Sequence, residues 1–158
     1  VGSEMCIRDS CKYAYVRVPV EFKEAGICNL GFGDIESRDL CTALCGCQEA
    51  YILGATIGIK ADMLIKRLEI ASPAEAFITD ALASAAAESL CELADDTLRG
   101  VGKKPIRFSP GYGDLPLSVQ PAVLAVLNAD YTLGIALSPS FLMTPMKSVT
   151  AIMGILPN

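Results

Sequence analysis

The chain has 158 residues, of which 52% are hydrophobic and 20% charged, with a formal net charge of −5. This length suits one compact domain, and the acidic balance leaves no basic surface for a phosphate backbone or an anionic membrane. Polar or glycine residues interrupt every apolar run, so we expect neither nucleic acid nor a membrane as a partner. Histidine is absent, which excludes Ser-His and Cys-His catalysis within this chain.

The two ends of the chain predict its domain organisation. Residues 1–10 resemble translated sequencing-adapter sequence, so we expect a non-native leader there and a single domain over residues 11–158. The chain stops directly after an apolar, strand-like segment, and we expect the domain to be truncated at one or both ends. Seven cysteines, an odd number, without a signal peptide indicate reduced thiols in the cytoplasm.

The first half of the chain alternates strand and helix patterns. Residues 13–20 predict a strand, which Pro19 places at a sheet edge, and Ser37 is suited to cap a helix over residues 37–47. Residues 51–58 predict a buried strand. Residues 60–70 carry apolar side chains at helical spacing and predict an amphipathic helix.

A long helix is predicted from the segment Ser72-Pro73-Ala74-Glu75. Serine can cap the helix, proline fits its first turn, and glutamate can reach back in a capping box. The helix should run to about residue 98. Residues 81–87 are almost all alanine, which permits close approach of neighbouring elements, so we expect a packed central helix.

The last third of the chain predicts the fold class. We expect a short strand over residues 106–108, a turn-rich loop over 109–114, a helix from 117 or 118 to 127, and strands over 132–137 and 148–156. We expect these last two strands to form an antiparallel pair joined through residues 138–147. The sequence therefore predicts an α+β fold with a mostly antiparallel sheet flanked by helices, one of them long and central.

The segment Arg107-Phe108-Ser109-Pro110-Gly111-Tyr112 is the most informative about chemistry. It sets a guanidinium, which can fork onto a carboxylate, beside a loop whose backbone groups can hold a small polar ligand. Tyr112 offers both a flat apolar face and a hydroxyl. The alternative is a β-turn with a surface arginine and a tyrosine packed on the core.

Two further groups of residues leave alternatives open. Glu88 is the only acid between Asp80 and Glu92, among otherwise small and apolar residues of the long helix, so it either meets a cationic amine or sulfonium or is simply an exposed glutamate. A thiolate metal site is conceivable, but its spacing is poor for zinc and buried free cysteines are favoured; we expect no metal site. The cysteines concerned are Cys41, Cys45, Cys47 and Cys91.

Two motifs resemble the reactivation domain of cobalamin-dependent methionine synthase, in particular the small separate activation proteins of bacteria. The first motif comprises Arg107, Pro110, Gly111, Tyr112 and Pro116. The second comprises Leu137, Ser140, Phe141, Met143, Pro145, Ser148 and Val149. The second motif has no acid, base or nucleophile of its own, and it fits either a loop near a ligand cleft or a hairpin whose Phe141 and Met143 pack on the core.

The resemblance implies a ligand and a role for four residues. Arg107 would hold the carboxylate of S-adenosylmethionine, the backbone at Ser109 would contact the ligand, and Tyr112 would lie at the face shared with the corrin. The family's glutamate on the long helix, aligned through residues 80–82, falls on Glu88 and would meet the cationic end. The family's other ligand-binding acid lies in an N-terminal part that this chain lacks.

By resemblance, the chain would be a component of methionine synthase and not a complete enzyme, with no catalytic acid or base of its own. It would bind S-adenosylmethionine and present the methyl group to cob(I)alamin carried by a partner protein, with a flavodoxin-like protein as electron donor. The alternative is a non-catalytic docking module that caps a corrinoid protein without binding S-adenosylmethionine.

Overall fold

The computed structural model describes residues 11–158, so the predicted leader over residues 1–10 lies outside the described part. The strands in chain order are β1 (Lys12–Pro19), β2 (Glu21–Phe22), β3 (Ile27–Asn29), β4 (Asp34–Glu36), β5 (Glu49–Thr56), β6 (Ala136–Leu137), β7 (Met143–Thr144) and β8 (Ser148–Ile155). The helices are α1 (Arg38–Ala43), α2 (Ile59–Ala71), α3 (Pro73–Arg99), α4 (Gln120–Leu127) and α5 (Ala129–Thr132), with a 3-10 turn at Leu117–Val119 before α4.

The main sheet has the strand order β1-β5-β8, and both strand pairs are antiparallel. Ile52 in the centre of β5 lies opposite Val16 of β1 and Ile152 of β8. The central strand is buried almost throughout because both of its faces are covered. Pro19 lies in the edge strand β1, as predicted. Its lack of an N–H removes no hydrogen bond between strands there.

Helices cover the two faces of this sheet. On one face α3 packs through Cys91 and Ala94 against Leu53 and Met153. On the other face α4 and α5 cover a larger apolar cluster. Gly54 allows this second layer to approach closely, since a Cβ there would lie 2.8 Å from Leu133 Cδ1 and 2.9 Å from Leu127 Cδ1.

The predicted fold class is confirmed, and the long helix is present over α3. Its buried residues Ala83 and Ala87 pack with Ala61 of α2, and Cys91 and Ala94 face the sheet. Its outer face leaves Phe77 and Leu82 exposed. No helix within residues 11–158 combines the length and the apolar character needed to cross a membrane.

Two helix predictions need correction at their ends. Ser37 does cap α1, accepting from Leu40 N at 3.0 Å, but α1 ends at Ala43 and not near residue 47. The predicted capping box at Ser72 is absent, because the Ser72 N–H donates to Leu68 O at 2.7 Å and so closes α2. Glu75 therefore has no free N–H to accept from.

The predicted pairing of the last two strands is wrong. Residues 129–132 form the turn α5, so only Ala136–Leu137 of the expected strand is extended, and it pairs with Met143–Thr144 as a short hairpin. β8 pairs instead with β5. The expected strand over residues 106–108 is reduced to one antiparallel bridge between Phe108 and Ile152. The edge of β8 beside that bridge is where the cleft opens.

Candidate functional site

A cleft of about 600 Å³ opens beside the edge of β8 that does not pair with β5. Its lining comes from α3, the loop after Phe108, the start of α4, the β6–β7 hairpin and the first residues of β8. Apolar side chains form most of the walls. The lining residues that bear on function are Glu88, Ser109, Tyr112, Gln120, Met143 and Thr150.

The loop of the first motif is tied to β8 at its start. Phe108 exchanges both backbone hydrogen bonds with Ile152, and the Ser109 hydroxyl donates to Thr150 O at 2.6 Å. A turn follows, in which Tyr112 N donates to Ser109 O at 3.0 Å. This turn leaves Tyr112 on the cleft rim, 52% exposed, with its ring edge-on to Phe108 at 6.2 Å.

The far end of the same loop is fixed by a reciprocal clamp with the start of α1. The Asp114 carboxylate accepts from the Ser37 hydroxyl and from the N–H of Arg38 (2.9 Å) and Asp39 (3.2 Å). Asp114 N in turn donates to Asp39 Oδ2 at 3.0 Å. These donors, with the Ser37 hydroxyl contributing most, hold the pKa of Asp114 below its ordinary value. The clamp fixes the loop that carries Ser109 and Tyr112.

Glu88 lies on the exposed side of α3 and lines the cleft. The return of the hairpin is anchored to the same helix, because Lys147 Nζ lies 2.9 Å from Asp80 Oδ1 and 2.8 Å from Ser84 Oγ. One wall of the cleft is therefore fixed relative to Glu88. A carboxylate in this position favours a cationic group in the cleft.

Arg107 does not line the cleft; its guanidinium is turned towards α3. Its Nε lies 3.9 Å from Asp95 Oδ2, which is too long for a hydrogen bond, and its Nη1 is buried without a hydrogen-bond partner. Asp95 is instead held by Arg99, through contacts of 2.5 and 2.8 Å. The structure thus brings Glu88, Ser109 and Tyr112 together and places Arg107 beside them.

The Asp95–Arg99 pair fixes the segment that leads to Arg107. Both side chains are about 5% exposed or less, and Arg99 Nη1 also donates to Pro105 O and Gly154 O, each at 2.9 Å. Burial acts to raise the pKa of Asp95, but the hydrogen bonds and charges of Arg99 and Lys104 together leave the pKa lowered. The pair is a structural connection between α3, β8 and residue 105.

The floor of the cleft contains a polar pair, Gln120 and Thr150, that the sequence did not single out. Gln120 is 3% exposed, and its Oε1 accepts from Thr150 Oγ1 at 2.8 Å. Neighbouring Ser148 donates to Pro145 O at 2.6 Å. The sequence placed Gln120 near the start of a predicted helix. It contained no signal that Thr150 would form a hydrogen bond with it.

The second motif forms a hairpin that lies at the cleft, and of its two apolar side chains only Met143 packs on the core. Ser138 N donates to Leu142 O at 2.9 Å, which closes the β6–β7 hairpin, and Phe141 takes a left-handed conformation with φ of 66° in its turn. Phe141 and Met143 are partly buried, and both line the cleft. The hairpin is therefore an apolar wall of the cleft as well as a connection.

Within residues 11–158, no three Cys, Asp or Glu side chains are grouped so that they could hold a metal ion. Cys41, Cys45, Cys47 and Cys91 are free thiols, and Cys91 packs in the core on the sheet-facing side of α3. Burial, with Glu88 and Asp95 nearby, raises the pKa of Cys91 against the opposing charge of Arg107.

Fold and cleft together define an α+β domain with an antiparallel sheet, a long flanking helix and a cleft of ligand size at the sheet edge. This fold is also that of a crystal structure described as the MetH reactivation domain bound to AdoHcy, with a TM-score of 0.73 and 14% sequence identity. The alignment covers 99% of this chain and 66% of that chain. No protein-family model and no curated protein matches the chain.

Proposed function

We propose that this chain binds S-adenosylmethionine in the cleft and takes part in the reductive reactivation of cobalamin-dependent methionine synthase. The main support is that Glu88 of the long helix and Ser109 and Tyr112 of the loop after Phe108 line one cleft. The fold likeness adds weight, because the similar domain was crystallised with AdoHcy, that is, S-adenosylhomocysteine. A flavodoxin-like protein would supply the electron that reduces the partner's cobalamin to cob(I)alamin.

The cleft fits this ligand in size and in chemistry. About 600 Å³ with mostly apolar walls and a few polar groups is typical of a site for a small organic molecule. Glu88 would pair with the cationic end of the ligand, where the sulfonium and the amine lie. The backbone at Ser109 would contact the ligand, since the Ser109 hydroxyl already donates to Thr150 O.

Arg107 would hold the ligand carboxylate after a change of rotamer. Its contact with Asp95 is long, at 3.9 Å, and its Nη1 has no hydrogen-bond partner. A buried guanidinium nitrogen without an acceptor is unfavourable, so a carboxylate that supplied one would be bound with a gain. Moving the guanidinium away from Asp95 should cost little, because Arg99 remains paired with the Asp95 carboxylate.

The partner would carry the cobalamin, whose reduced cobalt supplies the nucleophile for the methyl group. This chain would position the methyl donor and exclude water from the cleft. Tyr112, half exposed on the rim, would face the corrin. No acid or base is required from this chain, in agreement with its lack of histidine.

Calorimetric titration with S-adenosylmethionine and S-adenosylhomocysteine tests this function. The two ligands differ in charge at sulfur, so Glu88→Gln should weaken binding of the sulfonium about tenfold more than binding of the neutral thioether. Glu92→Gln is the matched control, because Glu92 is an exposed glutamate one turn further along α3 that does not line the cleft. Failure of the folded wild-type chain to bind either ligand would contradict the proposal.

The second candidate is a docking module that caps a corrinoid protein without binding S-adenosylmethionine. It is favoured by one observation, that Arg107 lies outside the cleft lining. Arg107→Ala separates the two candidates when both ligand binding and association with a cobalamin-binding methionine synthase module are measured. Loss of ligand binding with retained association supports the proposed function, whereas no effect on either supports the docking module.

A further inference from the structure

Gln120 is the most buried polar side chain in the cleft that has an unused hydrogen-bond donor. It is 3% exposed, at the first position of α4. Thr150 Oγ1 donates to its Oε1 at 2.8 Å, so the acceptor end of the amide is occupied. Its Nε2 lies 3.4 Å from Met143 Sδ and has no other acceptor among the described residues.

The orientation of this amide is fixed by its two neighbours. A thioether sulfur is a weak acceptor and not a donor, so the NH₂ group belongs on the Met143 side and the oxygen on the Thr150 side. One of the two N–H donors meets only this sulfur, and the other meets no acceptor within residues 11–158. A buried donor without a proper acceptor is costly, which favours a ligand that supplies an acceptor atom.

The cleft wraps around the edge of β8, which separates Gln120 from Glu88. Val149 packs with the helices on the α3 face, where Glu88 lies, whereas Thr150 bonds Gln120 on the α4 face. Consecutive residues of a strand point to opposite faces, so a ligand that fills the cleft spans the strand edge. Its cationic end would lie near Glu88, and its other end would lie near Gln120.

The surroundings of Gln120 fit a flat heteroaromatic ring. Leu117, Phe141 and Met143 line the cleft beside it, and they offer apolar and aromatic surface with no charge. A purine buries apolar faces against such walls and carries ring nitrogens that accept hydrogen bonds at its edge. Ribose or a carboxylate would leave these walls facing polar groups.

We propose that the Gln120 side-chain amide donates a hydrogen bond to a ring nitrogen of adenine and so selects the adenosyl end of the ligand. This inference rests on the proposed function, because it names the subsite for one half of S-adenosylmethionine. Thr150 acts as the positioning residue, since its hydroxyl holds the amide oxygen away from the cleft. Met143 completes the subsite as an apolar wall.

The test uses S-adenosylhomocysteine and three analogues in which one adenine ring nitrogen, N1, N3 or N7, is replaced by C–H. One analogue should bind the wild-type chain about tenfold more weakly than the parent ligand. Gln120→Glu keeps the acceptor for Thr150 and removes the donor, so it should weaken the parent ligand about tenfold but cause little further loss for that one analogue. Gln120→Met removes the donor without adding a charge and should show the same pattern, and melting curves establish that both variants fold.

Two outcomes would overturn this inference while leaving the proposed function intact. The first is unchanged affinity of both Gln120 variants for S-adenosylhomocysteine. The second is that each Gln120 variant weakens the parent ligand and all three analogues by the same factor. This result would place the acceptor outside the adenine ring. If the folded wild-type chain fails to bind S-adenosylhomocysteine at all, the proposed function and this inference fall together.

Discussion

Substituting Gly113 by alanine should destabilise the domain through a single side chain. Gly113 has a φ of +51°, and a Cβ there would lie 2.2 Å from Asp39 Oδ2 and 3.1 Å from Asp39 Cγ. The Asp39 side chain would have to rotate away and release the N–H of Asp114. The clamp on the loop would then keep only the bonds in which the Asp114 carboxylate accepts from the start of α1.

The expected cost has two parts that can be separated. The left-handed conformation costs an alanine about 1 to 2 kcal/mol of folding free energy. Alanine also lowers the conformational entropy of the unfolded chain, which offsets about 0.4 to 1 kcal/mol of that cost. Gly134 has a φ of +68°, and a Cβ added to it would meet no atom within 4 Å. Its substitution by alanine should therefore show only the net backbone cost. Gly113→Ala should cost about 1 kcal/mol more than Gly134→Ala, because it also removes the hydrogen bond to Asp39.

Denaturant unfolding of both variants, alone and combined with Asp39→Ala, measures these parts. In the Asp39→Ala background the obstructing carboxylate is gone, so Gly113→Ala should cost no more than Gly134→Ala. The reasoning is refuted if Gly113→Ala keeps its full excess cost in the absence of the Asp39 side chain. It is also refuted if the two glycine variants are equally stable in the wild-type background.

Three further predictions concern the core, the acid stability and the thiols. Gly54→Ala should cost about 1 to 3 kcal/mol in denaturant unfolding, because a Cβ there overlaps two leucine side chains of the covering layer, and no loss would contradict the close packing. Asp95, whose pKa Arg99 and Lys104 lower from 3.8 against the effect of burial, stabilises the fold above about pH 4 and loses this contribution as the pH falls through its folded-state pKa. The difference in Tm between wild type and Asp95→Asn should therefore shrink between about pH 6 and pH 3, and a constant difference would contradict this. Burial and the neighbouring thiol raise the pKa of Cys28 to about 12, so alkylation at neutral pH, followed by mass spectrometry, should label exposed Cys45 well before Cys28.

The elements that could be predicted from the sequence are those with a local cause. Ser37 caps a helix because its hydroxyl accepts from an N–H three residues on, and β5 reads as a buried strand because its apolar run fits two covered faces. The expected partner of β8 was wrong because pairing depends on the whole sheet, and a local pattern cannot show that β5 is closer. The Ser72 capping box failed for a similar reason, since the end of α2 had already taken its N–H.

The site shows the same division between local and distant causes. The motif around Ser109 and Tyr112 could be recognised because its residues are consecutive, and Glu88 stood out as the only acid between Asp80 and Glu92. Gln120 could not be recognised, because its role depends on Thr150, thirty positions away in sequence and opposite it across the cleft floor. The direction of the Arg107 side chain likewise depends on Asp95 and Arg99, which lie on another element.

A crystal structure of the chain with S-adenosylhomocysteine tests the central claim most directly. We predict density for the ligand along the edge of β8, with its amino-acid end near Glu88, its carboxylate on Arg107 and its adenine against Gln120. Ligand density elsewhere on the molecule, or an unchanged cleft in crystals grown at a saturating ligand concentration, would contradict the account.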